Sequence, residues 1–190
     1  MSRIAIIGTT TWGKTLCVIL ANNGLEVSLW ARTEQEVVKL RNEGPNPNLF
    51  PGGSFPDRVF ITSIISEALT ETEAVILAVP SQTMRDNIRL AGEYLSSSML
   101  VVSATKGLEL VTNKRMSQVI AEEIATDLRP NICVLSGPNL SCEVIRNLPA
   151  ATVVAAESKA IAARARRLLT APFFVFIPTP MSPVLNWAAP

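Results

Sequence analysis

Histidine does not occur in this chain of 190 residues. Its absence excludes Ser-His-Asp hydrolysis, the His-Asp type of dehydrogenase, HExxH metalloproteases and every imidazole metal site, and no metal is expected. Proton transfer is left to Lys, Asp, Glu, Cys or the single tyrosine, Tyr94. An excess of charge is lacking too. The 17 Lys and Arg stand against 16 Asp and Glu, a net of +1. Nucleic-acid and membrane-surface binders need a basic excess on one face, so neither partner is expected. Only three cysteines occur, Cys17, Cys133 and Cys142, with no CxxC spacing and each within an apolar run. That pattern predicts buried free thiols in a reducing compartment. No apolar run approaches the roughly 18 residues of a membrane span. The start, Met1-Ser2-Arg3 and a short apolar run, is too brief for a signal peptide, so the expected location is the cytoplasm.

What is present is apolar: 48% of residues, with 17% charged, ample for one hydrophobic core. Short runs rich in Val, Ile and Leu at 3–7, 26–30, 74–79, 99–103, 132–135 and 151–155 read as strands covered on both faces. Helical patterns at 13–23, 34–42, 83–95, 113–127 and 158–170 lie between them. Strand and helix in alternation predict a doubly wound, mostly parallel α/β sheet over residues 1–176. Two stretches break the rhythm. Residues 43–57 carry four prolines and three glycines and read as a long loop, and the tail 177–190 is rich in proline.

The first strand runs into Gly8-Thr9-Thr10-Thr11-Trp12-Gly13-Lys14-Thr15. One reading is the phosphate-binding pattern GxxxxGK[ST], with Lys14 on phosphate and Thr15 on Mg²⁺. The other is a dinucleotide loop, G-x-G-x-x-G, whose middle glycine is Thr10. A nucleotide hydrolase holds its magnesium with an acid at a strand end, and no expected strand end supplies one. About 20 residues past the loop, where NAD sites place an acid, stand Trp30, Ala31, Arg32 and Thr33, with no acid before Glu34. The guanidinium of Arg32 suits a 2′-phosphate and tilts the expectation toward NADP, or toward tolerance of NAD and NADP.

Together with Leu77-Ala78-Val79-Pro80-Ser81, Ser103-Ala104-Thr105-Lys106-Gly107-Leu108-Glu109, Ser136-Gly137-Pro138-Asn139 and the loop ending Leu49-Phe50-Pro51-Gly52, this segment resembles the NAD(P)-dependent glycerol-3-phosphate dehydrogenases. The resemblance covers residue 1 to about 176 and implies a Rossmann-like NAD(P)-binding domain in a pathway of glycerophospholipid synthesis. It implies cofactor contacts at Gly8, Thr11, Trp12, Gly13, Arg32, Lys106 and Ser141, and substrate contacts at Lys106, Gly137 and Asn139. The implied reaction is hydride transfer between nicotinamide C4 and C2 of sn-glycerol 3-phosphate, giving dihydroxyacetone phosphate. A protein that kept NAD(P) binding and lost the chemistry is the alternative of a different class.

Two departures from the family pattern carry expectations. The family's proton-transfer lysine sits in a Gly-Gly-x-x-Lys-Asn segment opening a helical domain, and no such segment occurs here. Back-translation of the tail, read from the third base of each codon, yields a sequence close to that junction. The tail is therefore expected to be the junction out of frame, and the chain alone to bind cofactor, turn over poorly and expose an apolar docking face open to self-association or dimerisation. The second departure is Thr10, whose Cβ is expected to push a pyrophosphate off the helix N-terminus, so that Thr10→Gly would tighten binding.

Overall fold

The computed structural model describes residues 2–46 and 53–181. In chain order the elements are β1 (Arg3–Ile7), α1 (Thr11–Asn22), β2 (Glu26–Trp30), α2 (Glu34–Glu43), β3 (Val59–Thr62), α3 (Ile65–Leu69), β4 (Ala74–Leu77) and α4 (Met84–Gly92). There follow β5 (Leu100–Ser103), α5 (Met116–Glu123), β6 (Ile132–Ser136), α6 (Ser141–Val144), β7 (Ala150–Ala156), α7 (Lys159–Leu169) and β8 (Phe174–Pro180). The strands form one sheet in the order β3-β2-β1-β4-β5-β6-β7-β8. The first six are mutually parallel, β7 is antiparallel to β6, and β8 is parallel to β7.

The near-continuous apolar runs become strands because helices cover both faces of the sheet. Ile4 and Ile6 point to one face, where Leu16 and Leu20 of α1, Val37 of α2 and Phe174 and Phe176 of β8 pack. Ala5 and Ile7 point to the other, against Met84 and Ile88 of α4 and Val119 and Ile120 of α5. All four residues of β4 are inaccessible to solvent, as befits a central strand. The fold is the doubly wound, mostly parallel α/β sheet that the periodicity predicts.

Several boundaries differ from those read in the sequence. The helix expected over 113–127 is α5 alone: Asn113 sits at φ 55°, a turn conformation, and Ile124 turns extended. The helix expected at 83–95 is preceded by a tight 3₁₀ turn, Ser81–Thr83, and stops at Gly92. Strand β3 is four residues long and directly follows the proline-rich loop, which hid its apolar pattern. The boundary expected at 176 falls inside β8, which continues through Ile177, Pro178, Thr179 and Pro180.

Prolines are tolerated there for a geometric reason. The amide of Ala150 donates to Phe173 O and that of Met181 to Ala156 O, so the odd-numbered residues of β8 face β7. Pro178 and Pro180 therefore turn their nitrogens to the free edge, where no hydrogen-bond ladder is interrupted. Val175 and Ile177 of β8 are each about half exposed (45% and 51%) and lie on the face of the sheet opposite Phe174, Phe176 and α1. Residues 182–190, with most of the out-of-frame reading, and the Leu49-Phe50-Pro51-Gly52 resemblance lie outside the described residues.

Candidate functional site

The crevice at the carboxyl ends of β1, β4 and β5 begins with the turn between β1 and α1. Gly8 adopts φ +113°, and a Cβ on it would stand 2.5 Å from Ala78 O. On Gly13 a Cβ would stand 2.3 Å from Gly8 O. These two glycines let the first turn of α1 sit hard against β1 and β4, the roles that the dinucleotide pattern gives to its first and third glycines. Thr10 is the N-cap of α1: its Oγ1 accepts from the Gly13 amide at 3.1 Å and donates to Ala78 O at 2.8 Å. The hydroxyl is tied into the fold. The Thr10 side chain thus also holds the loop to the residue after β4, and its replacement by glycine loses a cap.

Two pockets of about 390 and 430 Å³ open on either side of Thr10 and Val79, which line both. The first has Gly8, Thr9, Arg32, Glu36, Pro80 and Asn87 in its walls. The second has Thr11, Trp12, Thr105, Lys106, Asn139 and Ser141. The amides of Thr11 and Trp12, the first two of α1, have no carbonyl within the helix to bond to, and they stand beside the second pocket. Trp12 is fixed by an edge-on contact with Phe174, centroids 6.0 Å apart at 86°.

In the first pocket Arg32 leans to the far wall. Its Nη2 donates to Asn87 Oδ1 at 3.1 Å, and its Cζ lies 5.8 Å from the Trp30 ring centroid. Buried Asn87 is held in turn by donation from Nδ2 to Thr83 O at 2.6 Å. Glu36, absent from the sequence expectation, reaches back from the first turn of α2. Its Oε2 accepts from the Arg32 amide at 3.1 Å, and Oε1 accepts from Thr9 Oγ1. A readable signal existed: Thr33-x-x-Glu36 has capping-box spacing, and Thr33 Oγ1 accepts from the Glu36 amide at 3.2 Å.

The Lys106 loop is held both within the cleft and from outside it. Thr105 Oγ1 accepts from the Val79 amide at 3.2 Å and lies 2.9 Å from Val79 O, joining the ends of β4 and β5. Gln82 donates from Nε2 to Leu108 O at 2.8 Å and accepts from the Leu110 amide at 3.1 Å. Arg85 grips Glu109 with two bonds, 2.8 and 2.9 Å, and also binds Glu122 and Glu123 of α5. The Arg85 guanidinium, with help from Thr112, holds the Glu109 carboxyl at about 2, below its usual value near 4.5. Arg85 and Gln82 were not foreseen, since nothing in their local sequence marks them.

Of the expected residues, Thr11, Trp12, Lys106, Asn139 and Ser141 share the second pocket, and Gly8 and Arg32 the first. Gly13 and Gly137 line neither. A Cβ on Gly137 would meet Asn139 Nδ2 and Thr152 Oγ1, both at 2.9 Å, so that glycine admits the side chain that does line the cleft. The phosphate-loop alternative is overturned. Thr15 is buried and donates from Oγ1 to Thr11 O at 2.8 Å, and Lys14 lies beside Lys39, Glu43 and Glu36. Burial first, then the charge of Lys39, lowers the Lys14 ammonium from the ordinary lysine range. Cys17 and Cys133 are buried, and burial pushes the Cys133 thiol up to about 12. Cys142 is only half-buried, a correction to the expectation of three buried thiols. Among the described residues no cluster of acids and cysteines could hold a metal, and no helix is long and apolar enough to cross a membrane.

The family described as NAD-dependent glycerol-3-phosphate dehydrogenase N-terminus matches residues 3–162. The chain belongs to this family. Among curated relatives it is 51% identical over 175 residues to a glycerol-3-phosphate dehydrogenase [NAD(P)+] of Dehalococcoides mccartyi, covering 92% of this chain and 49% of that one. It is 38% identical over 175 residues to the enzyme of the same name from Corynebacterium glutamicum, covering 92% and 52%. The chain thus spans about half the length of the curated relatives it matches. The crystal structure of glycerol-3-phosphate dehydrogenase from Coxiella burnetii superposes with a TM-score of 0.82 at 26% identity, covering 94% of this chain and 54% of that one. The doubly wound dehydrogenase fold is therefore shared with the family, as the two glycines and the strand order indicate.

Proposed function

We propose that this chain is the coenzyme-binding part of an NAD(P)-dependent glycerol-3-phosphate dehydrogenase, with the dinucleotide lying across both pockets. One observation carries the reading: Thr10 and Val79 join the two pockets, so the N-terminus of α1 stands between an Arg32 wall and a Lys106 wall. A pyrophosphate fits at that N-terminus, where free amides and the helix dipole favour negative charge. Gly8 and Gly13 supply the close approach, and Thr11, Trp12, Arg32, Lys106 and Ser141 the contacts. Trp12 and Ser141 bound the end of the cleft where a nicotinamide would sit, and that group supplies the hydride when bound.

For sn-glycerol 3-phosphate or dihydroxyacetone phosphate, the Lys106 ammonium offers a fixed cation and Asn139 an amide, with Gly137 leaving room for Asn139. The proton partner of the C2 oxygen is, by the family resemblance, a lysine in a Gly-Gly-x-x-Lys-Asn segment. A Gly-Gly-x-x-Lys-Asn segment is not among these 190 residues, so the chain assayed alone binds coenzyme and turns over on the order of 10³-fold or more slowly than an enzyme with that lysine. The reading places the protein in the cytoplasm and gives the uncovered apolar face of β7 and β8 a role in self-association.

Titration of the purified chain with NADH, NADPH and ATP–Mg²⁺ tests the reading. Binding of a nicotinamide dinucleotide that Lys106→Met and Trp12→Ala weaken supports it. Binding of ATP–Mg²⁺ in preference to both dinucleotides overturns it.

A further inference from the structure

We infer that Glu36 selects the coenzyme at its adenosine ribose, favouring a 2′-hydroxyl over a 2′-phosphate. The inference rests on the proposal that a dinucleotide occupies the two pockets. It opposes the tilt toward NADP that Arg32 gave in the sequence.

The carboxylate comes from an unexpected place. Dinucleotide folds that prefer NAD set an acid at the end of the second strand, and here that end reads Trp30-Ala31-Arg32. Glu36 reaches the same position from α2. One oxygen takes the amide of Arg32, at the end of β2, and the other takes the hydroxyl of Thr9, in the glycine loop. These bonds hold the half-buried carboxylate in the wall of the first pocket. An ionised carboxylate has about four lone-pair sites, so roughly two remain for ribose hydroxyls. A phosphate in their place would set like charge against like.

Of the cations near that carboxylate, Lys14 lines neither pocket and lies beside Lys39 and Glu43 as well, and Arg32, which shares the pocket, is engaged elsewhere. Arg32 directs its guanidinium to Asn87 and the Trp30 ring, on the α4 side of the pocket. Because Asn87 is itself bonded to Thr83 O, the anchor is a fixed one. From there the guanidinium plane is placed to stack on an adenine, a contact that both coenzymes share.

Calorimetric titration of the 190-residue chain and of Glu36→Gln with NADH and NADPH tests this assignment. Glutamine keeps an oxygen that can accept from the Arg32 amide and removes the charge. The unsubstituted chain is expected to bind NADH about tenfold more tightly than NADPH, and Glu36→Gln to bring the two within about twofold, chiefly by tightening NADPH. Should the variant fail to fold, 5′-AMP against 2′,5′-ADP on the unsubstituted chain reads the same preference. A preference for the 2′-phosphate, or a ratio unmoved by Glu36→Gln, overturns the assignment of Glu36 and leaves the coenzyme site standing. If neither dinucleotide binds to folded protein, the coenzyme reading itself falls.

Discussion

Two loops meet in the cleft and are held in different ways. The glycine loop between β1 and α1 is packed backbone to backbone, where Gly8 and Gly13 permit a contact that any side chain would obstruct, and its own hydroxyls add bonds, Thr10 to the Gly13 amide and Ala78 O and Thr9 to Glu36. The Lys106 loop is fixed by side chains more than 20 positions away in the sequence, Gln82 and Arg85, which hold the backbone of Leu108 and Leu110 and the carboxylate of Glu109. A contact made by absence of atoms is stiff and cannot be adjusted. A clamp made of charges and amides can be loosened locally, and the loop it holds carries exposed Lys106 into the cleft.

The contrast can be broken at either loop. The largest effect is expected from Gly13→Ala. Its new methyl group meets the Gly8 carbonyl, and overpacking against backbone should cost about 3 kcal/mol or more in urea unfolding. Survival of the variant with unchanged stability would remove the steric account of this loop.

Arg85→Met comes next. It strips one guanidinium from three carboxylates, and amide exchange at Leu108 and Leu110 should rise by about tenfold while that of α1 stays put. The same variant separates the pH behaviour. Glu109 has its folded-state value depressed to about 2 from an ordinary 4.5, and Glu122 and Glu123 are lowered as well, through bonds to Lys114, Arg89 and Arg85. Their contribution to stability is therefore present above about 4.5 and is lost as pH falls toward 2. Thermal melts should fall across that window in the unsubstituted chain and more shallowly in Arg85→Met.

Thr10→Ala removes a cap and should cost about 1 kcal/mol, against a few tenths for Thr10→Gly. A Thr10→Gly variant that binds NADH more tightly would bear out the steric expectation for Thr10 drawn from the sequence. Gln82→Ala is the mildest, a roughly threefold rise in exchange at Leu110 alone.

The same contrast explains what was legible in the sequence. Gly8, Gly13 and the apolar runs act through local geometry and period, so the first turn, the sheet and its mostly parallel sense could be read directly. Arg32 was visible as a charge at a strand end, but its partner Asn87 lies 55 residues on, so the direction of its side chain was not. Glu36 escaped notice because an acid was sought on the strand and not on the helix behind it. The anchoring role of Thr10 was not visible because its hydroxyl partner, Ala78 O, lies 68 residues on, just past β4. Strand β8 was hidden by its own prolines, which break a helix or a central strand but not an outermost one.

That outermost strand has a consequence for how copies of the chain meet. Past Phe176 its outward rim presents carbonyl acceptors from Pro178 and Pro180 with no amide hydrogen between them, so an incoming strand finds half of its bonding partners missing. Past Phe176 the β8 edge is therefore a poor template for a further strand. At this end of the sheet, apolar contact between copies would be made broadside, through Val175 and Ile177, and not by adding a strand beyond β8.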